Sequence, residues 1–380
     1  MNILIIGAGP GGLAAACALS KRGHQVKVIE RLEDPTVGGA AVTIFSNGAL
    51  ALKGCAVELQ GLGGRIDDLV LFRADGRRLL HFDLRVMTNR FGHPVRTIPR
   101  SDLLNRLRGE LPDRVVQCGV GVESLRVSAG DIEVVLASGE SLRPQVVVGA
   151  DGHRSVVRRD ILDPTPARSS GWGTWQGLSP ILPELASGTE GRMIVGDAGL
   201  VGLMPAGSGL VQWWFDVPWS GADHGPIDPL RWLGERFSGY AEPVGALLAS
   251  ISDQAIAFFP HVVHDVSDRW GNGPATLVGD AAHVFPPSQA QGANQAFEDA
   301  WLLSRALDQE ADLGDCLRRY EQCRARRVRL VSRMAASERT NRAPGALLGA
   351  LARATPPSTA GYFYARLIRR FSSVLNGEEP

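Results

Sequence analysis

The N-terminal segment carries the pattern that most constrains how this chain folds. Residues 2–6 form a short apolar run without helical periodicity, as expected for a strand buried on both faces of a parallel sheet. Gly7, Gly9 and Gly12 follow in G-x-G-x-x-G spacing, which allows a tight turn and lets a pyrophosphate approach the backbone. A helix from Gly11 to Arg22 would direct its unpaired N–H groups at those phosphates. The pattern predicts the first half of a nucleotide-binding βαβ unit.

Glu30 completes this unit. A second strand over residues 25–29 ends at this carboxylate, which stands about 20 positions after the glycine loop, where an acidic residue accepts from a ribose hydroxyl. The complete unit is far more specific than a glycine triplet alone, so we expect a dinucleotide site. NAD and FAD both contain an ADP moiety, and the unit therefore does not distinguish them.

Composition limits the number of domains that this chain can form and the kinds of partner that it can bind. The chain has 380 residues, of which 44% are hydrophobic, so it can bury a large core as two domains or one elaborated domain. Its 40 basic and 40 acidic residues cancel, which argues against nucleic acid or an anionic membrane as a partner. The five cysteines form no C-x-x-C pair, so we expect neither a disulfide framework nor a metal site.

The apolar segments bear on localisation. No apolar run approaches the roughly 18 residues of a membrane span, and the N-terminal run is too short for a signal peptide. We therefore expect a cytoplasmic protein without membrane insertion, either a monomer or a homodimer.

The order of predicted elements indicates one α/β domain interrupted by another. A hairpin is predicted within residues 69–82, and Ser101 or Asp102 is the expected N-cap of a helix that runs to about Glu110. Residues 170–266 have the pattern of a β-meander and hold six of the eight tryptophans.

The last part of the chain is predicted to be mostly helical. Gly292 opens one helix, and another runs from about Leu313 to Asn341. The second helix is rich in arginine. We assign those arginines to a solvated helix face, because the acidic residues elsewhere balance them and no stacking aromatics accompany them.

Two further motifs carry chemistry. An apolar strand runs into the D-G motif Gly149-Ala150-Asp151-Gly152, which is followed by Ser155 and Arg158. The G-D motif Gly279-Asp280-Ala281-Ala282-His283, with Pro286 after it, lies far along the chain from the glycine loop. Together with the glycine loop, these motifs resemble those of the FAD-dependent monooxygenases of the p-hydroxybenzoate hydroxylase type, the single-component group A flavoproteins. The resemblance covers about residues 1 to 340.

This resemblance implies an α/β fold: a Rossmann-like FAD-binding domain with an inserted, mostly antiparallel β substrate domain and C-terminal helices. The predicted FAD-binding domain comprises residues 1–70, 97–169 and 268–340. The predicted substrate domain comprises residues 71–96 and 170–267, and a helical tail comprises residues 341–380.

The resemblance also implies roles for single residues. Asp280 would hydrogen-bond the ribityl chain of FAD, and Arg100 would reach the phosphate and ribityl region of the flavin. Asp151 and Arg158 are associated with the binding of both FAD and the nicotinamide nucleotide. Alternatively, these two residues form a local salt bridge that braces the turn.

The helix that opens at Gly292 would act on the flavin ring. With Ala293 and Asn294, this residue directs the positive helix end at the N1–C2=O edge, where negative charge collects on reduction. Arg31 is a further cofactor-site candidate, and Pro286 is a candidate near the reacting atoms.

The chain departs from the family pattern at two places. Residues 38–43 contain no arginine, so Arg100 is expected to carry more of the pyrophosphate charge, and residues 288–290 lack a glycine that is common there. His283 is expected to be a structural histidine beside its helix.

Other nucleotide-binding classes are disfavoured. Gly119-Val120-Gly121 and Gly207-Ser208-Gly209 lack a third glycine and a following helix, so neither predicts the second dinucleotide fold of a disulfide reductase. Trp172-Gly173-Thr174-Trp175 is not the W-x-W-x-I-P run of flavin halogenases.

The family implies an oxygenase that consumes NADH or NADPH. The nicotinamide would reduce FAD as a transient donor, dioxygen would form a flavin C4a-hydroperoxide, and the distal oxygen would pass to an electron-rich substrate carbon. We expect hydroxylation of an apolar, aromatic or polycyclic small molecule, of the kind found in secondary metabolism. Epoxidation, Baeyer–Villiger insertion and a flavin-binding protein without turnover stay open as alternatives.

Substrate contacts are predicted on the β-meander. Alternation along residues 210–217 places Gln212 and Trp214 on one face of a strand, and Trp213 and Phe215 on the other. We favour the first face for the substrate, because a pocket needs a hydrogen-bonding group beside an apolar wall. Equally, the tryptophans could simply fill the packed interface of the sheet.

Four more residues are weaker substrate-side candidates. Pro205 and Phe259 are candidates for the pocket wall. His261 or His264 could serve as a base for a phenolic substrate, although a histidine on a strand is more often structural.

Overall fold

The structure is a computed structural model that describes residues 1–128, 130–220, 226–252, 256–309 and 312–380. The predicted substrate segment 170–267 therefore includes two short stretches, 221–225 and 253–255, that lie outside the described residues. The strands, in chain order, are β1 (Asn2–Ile6), β2 (Gln25–Ile29), β3 (Ala41–Ile44), β4 (Gly64–Ile66), β5 (Asp68–Arg73), β6 (Arg78–Asp83), β7 (Val95–Pro99), β8 (Val116–Gln117), β9 (Val122–Ser128), β10 (Asp131–Leu136), β11 (Ser141–Leu142), β12 (Val146–Gly149), β13 (Arg168–Ser179), β14 (Glu190–Gly196), β15 (Gly199–Gly207), β16 (Leu210–Pro218), β17 (Ala257–Val263) and β18 (Ala275–Leu277).

The α-helices follow the same numbering. They are α1 (Pro10–Lys21), α2 (Ser46–Gly54), α3 (Arg85–Phe91), α4 (Arg100–Gly109), α5 (Val156–Ile161), α6 (Pro183–Ala186), α7 (Pro229–Phe237), α8 (Val244–Ser250), α9 (Asp280–His283), α10 (Gly292–Ala306), α11 (Leu313–Ala336), α12 (Ala346–Ala354) and α13 (Pro357–Phe371). Among the residues that the structure describes, no helix is long and apolar enough to cross a membrane.

A five-stranded parallel sheet organises the nucleotide-binding side. Its order is β18-β12-β1-β2-β8, and each neighbouring pair is parallel. The carboxyl ends of parallel strands meet at one edge of a sheet, where ligands of α/β proteins bind. Gly7 follows β1, Ala150 follows β12 and Val278 follows β18, so three motifs that are distant in sequence begin at the same edge.

A seven-stranded sheet forms the other layer, in the order β17-β13-β16-β15-β14-β5-β6. Its pairs are antiparallel except for β14 with β5. The predicted hairpin is β5–β6, and its strand β5 pairs with β14 of this sheet. More than a hundred residues separate the hairpin from β14 along the chain, which is roughly the length of one typical domain. The fold class, a Rossmann-like domain with an inserted antiparallel β layer, is confirmed.

Helices α7 and α8 were not predicted within the β-meander. Asp228 caps α7 by accepting from the Arg231 N–H at 3.0 Å, and Pro229 occupies the first turn. The apolar sides of both helices pack with Trp213 and Phe215 of β16 in a second core. The sequence of this segment is mostly strand-like, which concealed the two short helices. They form because the apolar outer face of the sheet must be buried against another element.

Two predicted helix boundaries were wrong. Neither Ser101 nor Asp102 caps α4: Pro99 stands at the N-cap with no side-chain bond, and the helix begins directly as β7 ends. The arginine-rich helix α11 ends at Ala336 rather than near Asn341, because Glu338 adopts a left-handed conformation (φ +50°) that a continuous helix cannot accommodate.

We predict opposite effects for alanine at two glycines. A Cβ at Gly202 would lie 2.0 Å from the Trp214 ring, so Gly202→Ala should destabilise the protein by about 1–3 kcal/mol through overpacking. Gly234 lies inside α7 with no heavy atom within 4 Å of the same position, so Gly234→Ala should stabilise it by roughly 0.5–1 kcal/mol. Denaturant unfolding with saturating FAD measures both, and a shift of the same sign would contradict the prediction.

Candidate active site

The glycine loop has the shape that a pyrophosphate requires. Gly7 adopts φ +108°, and a Cβ at Gly12 would lie 2.0 Å from the Gly7 carbonyl oxygen, so the first and third glycines are needed for close packing. At Gly9 a Cβ would meet no heavy atom within 4 Å. Gly9 is also the N-cap of α1. The loop therefore presents open space at the helix N-terminus, where a phosphate binds.

Glu30 stands beside this loop. Its carboxylate accepts from the Ala8 N–H at 2.8 Å and from the Leu32 N–H at 2.9 Å. A carboxylate has about four lone-pair sites, so the two oxygens can still accept from ribose hydroxyls. Glu30 thus holds the glycine loop, and its carboxylate can still accept the predicted hydrogen bonds from a ribose.

The motifs at the sheet edge are in direct contact. The methyl group of Ala296 in α10 lies 3.0 Å from the Cβ positions of both Gly11 and Gly279. The Cβ position of Gly7 lies 2.4 Å from the Ala150 carbonyl oxygen. Because only glycines allow these approaches, the glycine loop, the D-G motif and the G-D motif form one continuous surface. An extended dinucleotide can contact all three.

Asp280 lies where this surface meets the start of α10. An Oδ1 atom of Asp280 lies 4.0 Å from the Cβ position of Gly292. Its side chain is open to solvent but closely surrounded by protein, and this partial desolvation raises the pKa of the carboxyl, although His283 offsets part of the rise. The arrangement suits a hydrogen bond with a hydroxyl group.

Asp151 and Arg158 do not form the local salt bridge considered above. Asp151 accepts from the Ser155 hydroxyl at 2.5 Å and the Val156 N–H at 2.7 Å, which caps α5, and burial raises its pKa. Arg158 instead donates to the Ala282 carbonyl oxygen at 3.0 Å. Arg158 therefore joins the D-G motif to the G-D motif.

Arg100 braces a loop close to Glu30. Its Nη1 donates to the carbonyl oxygens of Pro35 at 2.7 Å and Gly38 at 3.1 Å. Burial lowers the pKa of the guanidinium, and nearby Glu30 partly offsets this effect. Arg31 is exposed on the adjacent turn. The predicted contacts of Arg100 and Arg31 with the cofactor stay predictions.

The start of α10 is fixed by one amide. Asn294 accepts from the Phe45 N–H at 2.9 Å and donates to the carbonyl oxygens of Thr43 at 3.0 Å and Ala290 at 2.8 Å. The Asn294 side-chain amide therefore forms its hydrogen bonds within the protein. The helix begins at Gly292 as predicted, and the backbone N–H groups of its first turn are the groups left to face a flavin.

A buried ionic network holds the G-D motif from behind. Asp299 accepts from the Gly279 N–H at 2.9 Å and pairs with His283 Nε2 at 2.7 Å. Arg324 of α11 donates to Asp299 at 2.7 Å and to Glu298 at 2.8 Å. Burial raises the pKa of Asp299, but His283 and Arg324 outweigh it and hold that pKa below its usual value. His283 is structural, as expected.

This network corrects one prediction and adds residues that the sequence did not indicate. Arg324 lies on no solvated face, since its side chain is fully buried. Asn47 also joins the network by donating to Glu298 at 2.8 Å. The one available signal was the acidic pair Glu298-Asp299 between the apolar residues Phe297 and Ala300 of α10. Nothing in the sequence distinguishes Arg324 from its arginine neighbours.

The predicted alternation along β16 is confirmed. Trp213 packs in the second core, whereas Trp214 lies on the opposite face against the core of the nucleotide-binding side. Gln212 donates to the Ala41 carbonyl oxygen at 3.1 Å, also on that face. Pro205 is buried at the end of β15, and Phe259 is 39% exposed. Whether this face contacts a substrate stays a prediction.

His261 is engaged within the protein. Its side chain is 2% exposed, Nδ1 pairs with Glu338 at 2.8 Å, and Nε2 pairs with the Thr174 hydroxyl at 2.6 Å. Burial lowers the pKa, but Asp216 and Glu338 outweigh it and raise the pKa of His261 to about 9. His264 lines a different feature, an open cleft of about 320 Å³ beside Arg158.

Comparison with known proteins identifies the family. A family model described as an FAD binding domain matches residues 1–335. The chain belongs to this family. An FAD-dependent urate hydroxylase from Klebsiella pneumoniae subsp. pneumoniae is 32% identical over 337 residues, covering 87% of each chain. The 3-amino-4-hydroxybenzoate 2-monooxygenase PtmB3 from Streptomyces platensis is 34% identical over 350 residues, covering 87% of this chain and 86% of that one.

A solved structure agrees with these relatives. The crystal structure of Klebsiella pneumoniae HpxO complexed with FAD and uric acid superposes with a TM-score of 0.82 at 27% identity, covering 99% of this chain and 95% of that one. The resemblance to FAD-dependent aromatic monooxygenases is thereby confirmed. The FAD-binding family member described here is an FAD-dependent monooxygenase, an oxidoreductase whose cofactor is FAD.

We predict that Arg324→Met destabilises the fold by about 3–5 kcal/mol, because Glu298 and Asp299 would be left as buried, uncompensated charges. Arg326→Met, at an exposed position on the same helix, should change stability by less than about 0.5 kcal/mol. Denaturant unfolding of both variants measures the difference. Equal losses would mean that the network contributes little to the fold.

Proposed function

We propose that this monooxygenase hydroxylates an apolar, aromatic or polycyclic small molecule at the expense of NADH or NADPH. The observation that carries the proposal is the contact of Ala296 with both Gly11 and Gly279, which joins the glycine loop to the G-D motif in one cofactor surface. A urate hydroxylase and an aminohydroxybenzoate monooxygenase among the relatives support an oxygenation of a small ring compound.

FAD fits the residues that are present, and each has a task. The open space at Gly9 would receive the pyrophosphate, Glu30 would hold the ribose, and Asp280 would bind a ribityl hydroxyl. The N–H groups at Gly292 and Ala293 would stabilise negative charge on the reduced ring. When bound, the flavin supplies the oxygen-transfer chemistry, by the hydroperoxide route that the family resemblance implies.

The chain's own contribution is to bind, orient and exclude water. No protein nucleophile is required for such a reaction, and His261 is not retained as a base, because both of its ring nitrogens have protein partners. Pro286 is buried between α9 and the segment that leads to α10, so we keep it as a residue that shapes the space beside the ring.

The reaction is tested by mixing purified protein with NADH or NADPH, dioxygen and candidate ring compounds. We expect one class of compound to accelerate flavin reduction and to yield a product that has gained one oxygen atom. Product NMR separates hydroxylation from epoxidation and from Baeyer–Villiger insertion. If no compound accelerates reduction and no product gains oxygen, the proposed reaction is wrong.

Asp280→Ala should weaken FAD binding about 10- to 100-fold, since a hydrogen bond that involves a charged group contributes roughly 1.5–3 kcal/mol. The free energy of unfolding without FAD should fall little, because the native Asp280 carboxyl is already partly desolvated. Asp315→Ala, at an exposed position in α11, is the matched control and should retain full affinity. Equal flavin content in Asp280→Ala and the parent would refute the ribityl role.

Two neighbouring tryptophans test the substrate face. Trp214→Phe should raise the KM for the substrate severalfold while FAD content stays unchanged. Trp213→Phe, on the opposite face, should lower the melting temperature and leave the KM unchanged. Steady-state kinetics and thermal unfolding of both variants measure this contrast. The same KM in all three proteins would remove Trp214 from the proposed pocket.

A further inference from the structure

The C-terminal helices carry a surface that the flavin site does not use. α12 and α13 pack their inner sides against β6, and Gly361 allows α13 to approach the Asp83 backbone closely. The outer sides of both helices face solvent. We use the name C-terminal surface for the exposed residues on these outer sides: Leu347 (76% exposed), Leu348 (64%), Leu351 (59%), Tyr362, Phe363 (61%), Arg366, Arg369 and Arg370.

Positive charge is concentrated on the same segment. Residues 342–377 contain five arginines and no aspartate or glutamate, although the whole chain is neutral. Arg90 of α3 adds a further charge, since its guanidinium lies 5.5 Å from the centre of the Tyr362 ring. Asp83, which contacts α13 through its backbone, is paired with Arg85 at 2.8 Å and leaves this charge uncompensated.

The apolar and basic residues share one side of α13. Phe363 and Arg366 are three residues apart, and Tyr362 and Arg366 are four apart, which places them next to each other on a helix. Exposed leucines on α12 extend the apolar part. Aromatic and aliphatic groups flanked by arginine are the combination with which a helix lies in the interface of an anionic bilayer.

The distribution of charge decides between two occupants. A two-fold contact between copies of this chain would place the same patch against itself and bring arginines against arginines. Anionic lipid headgroups complement the charge, and the bilayer interface accepts the leucine and phenylalanine side chains. The neutral composition argued against such a partner, but composition averages over a surface that is locally basic.

We propose that the C-terminal surface binds the headgroup region of an anionic lipid membrane. The association is peripheral, since no helix among the described residues is long and apolar enough to span a bilayer. The arginines contact lipid phosphates, and the leucines and Phe363 enter the upper acyl region. This surface is separate from the residues that hold FAD.

Vesicle sedimentation of the FAD-loaded protein tests the proposal. We expect the protein to pellet with vesicles that contain phosphatidylglycerol, to stay in solution with phosphatidylcholine alone, and to be released by high salt. Replacing Arg366, Arg369 and Arg370 with glutamine should weaken this partitioning at least about tenfold. Leu348→Ser combined with Phe363→Ser should weaken it as well.

Matched controls keep the test specific. Glutamine at Arg114, Arg126 and Arg143, which are exposed on the nucleotide-binding side, should leave partitioning unchanged, and all variants should retain FAD. Absence of pelleting, or pelleting that is equal in all variants, would overturn the proposal. So would a concentration-dependent dimer that the leucine and phenylalanine substitutions abolish, because the occupant would then be a second copy of the chain.

Discussion

One fully buried arginine determines how the flavin-binding parts of this protein are arranged. Arg324 donates through all three of its nitrogen atoms, to Asp299, to Glu298, to the Gln295 carbonyl oxygen and to the Ser373 hydroxyl. Removing such charges from water costs several kcal/mol for each ion, and this cost is recovered only when every donor finds an acceptor. Every N–H group of Arg324 finds an acceptor, so this side chain fixes α10 against α11 and against the last residues of the chain.

The same network separates the roles of two aspartates. Partial desolvation by the surrounding protein raises the pKa of Asp280, whereas the pKa of Asp299 lies below its usual value because His283 and Arg324 outweigh the effect of burial. Asp299 has His283 and Arg324 as partners, so it stays ionised and anchors the backbone of the G-D motif. Asp280 forms no ion pair with Arg324; His283 offsets part of the rise in its pKa, which stays above its usual value. The proposed ligand contact therefore falls on Asp280, the aspartate of this pair that lacks the ion pair with Arg324.

Much of the cofactor half could be predicted from the sequence because its signals are local. The strand, the glycine loop and Glu30 fall within one short stretch, and the spacing itself encodes the backbone geometry. The convergence of Gly7, Ala150 and Gly279 also follows, once each is recognised as the residue or motif after a parallel strand.

The remaining features depend on contacts between distant residues. Arg324 of α11 pairs with Asp299 of α10, and His261 pairs with Glu338, which lies just beyond the C-terminal end of α11. No periodicity in the sequence encodes either pairing. Helices α7 and α8 lie within a strand-rich segment, and the sequence pattern of that segment did not predict them. They form because their apolar sides cover the outer face of the seven-stranded sheet. The substrate face is the hardest feature to predict, because the packing around each side chain determines whether that side chain can contact a substrate.

The segment predicted as a helical tail is attached to the rest of the protein after its last helix, α13. α13 is followed by Ser373, whose N–H donates to Glu298 at 2.8 Å, and by Glu378, which pairs with Arg327 at 3.0 Å between Nε and Oε1. A basic patch on a loose tail could meet a partner at any angle. Here the patch is joined through Glu298 and Arg324 to Asp299, which holds the G-D motif. A partner bound to the patch would therefore hold the flavin at one height and one tilt.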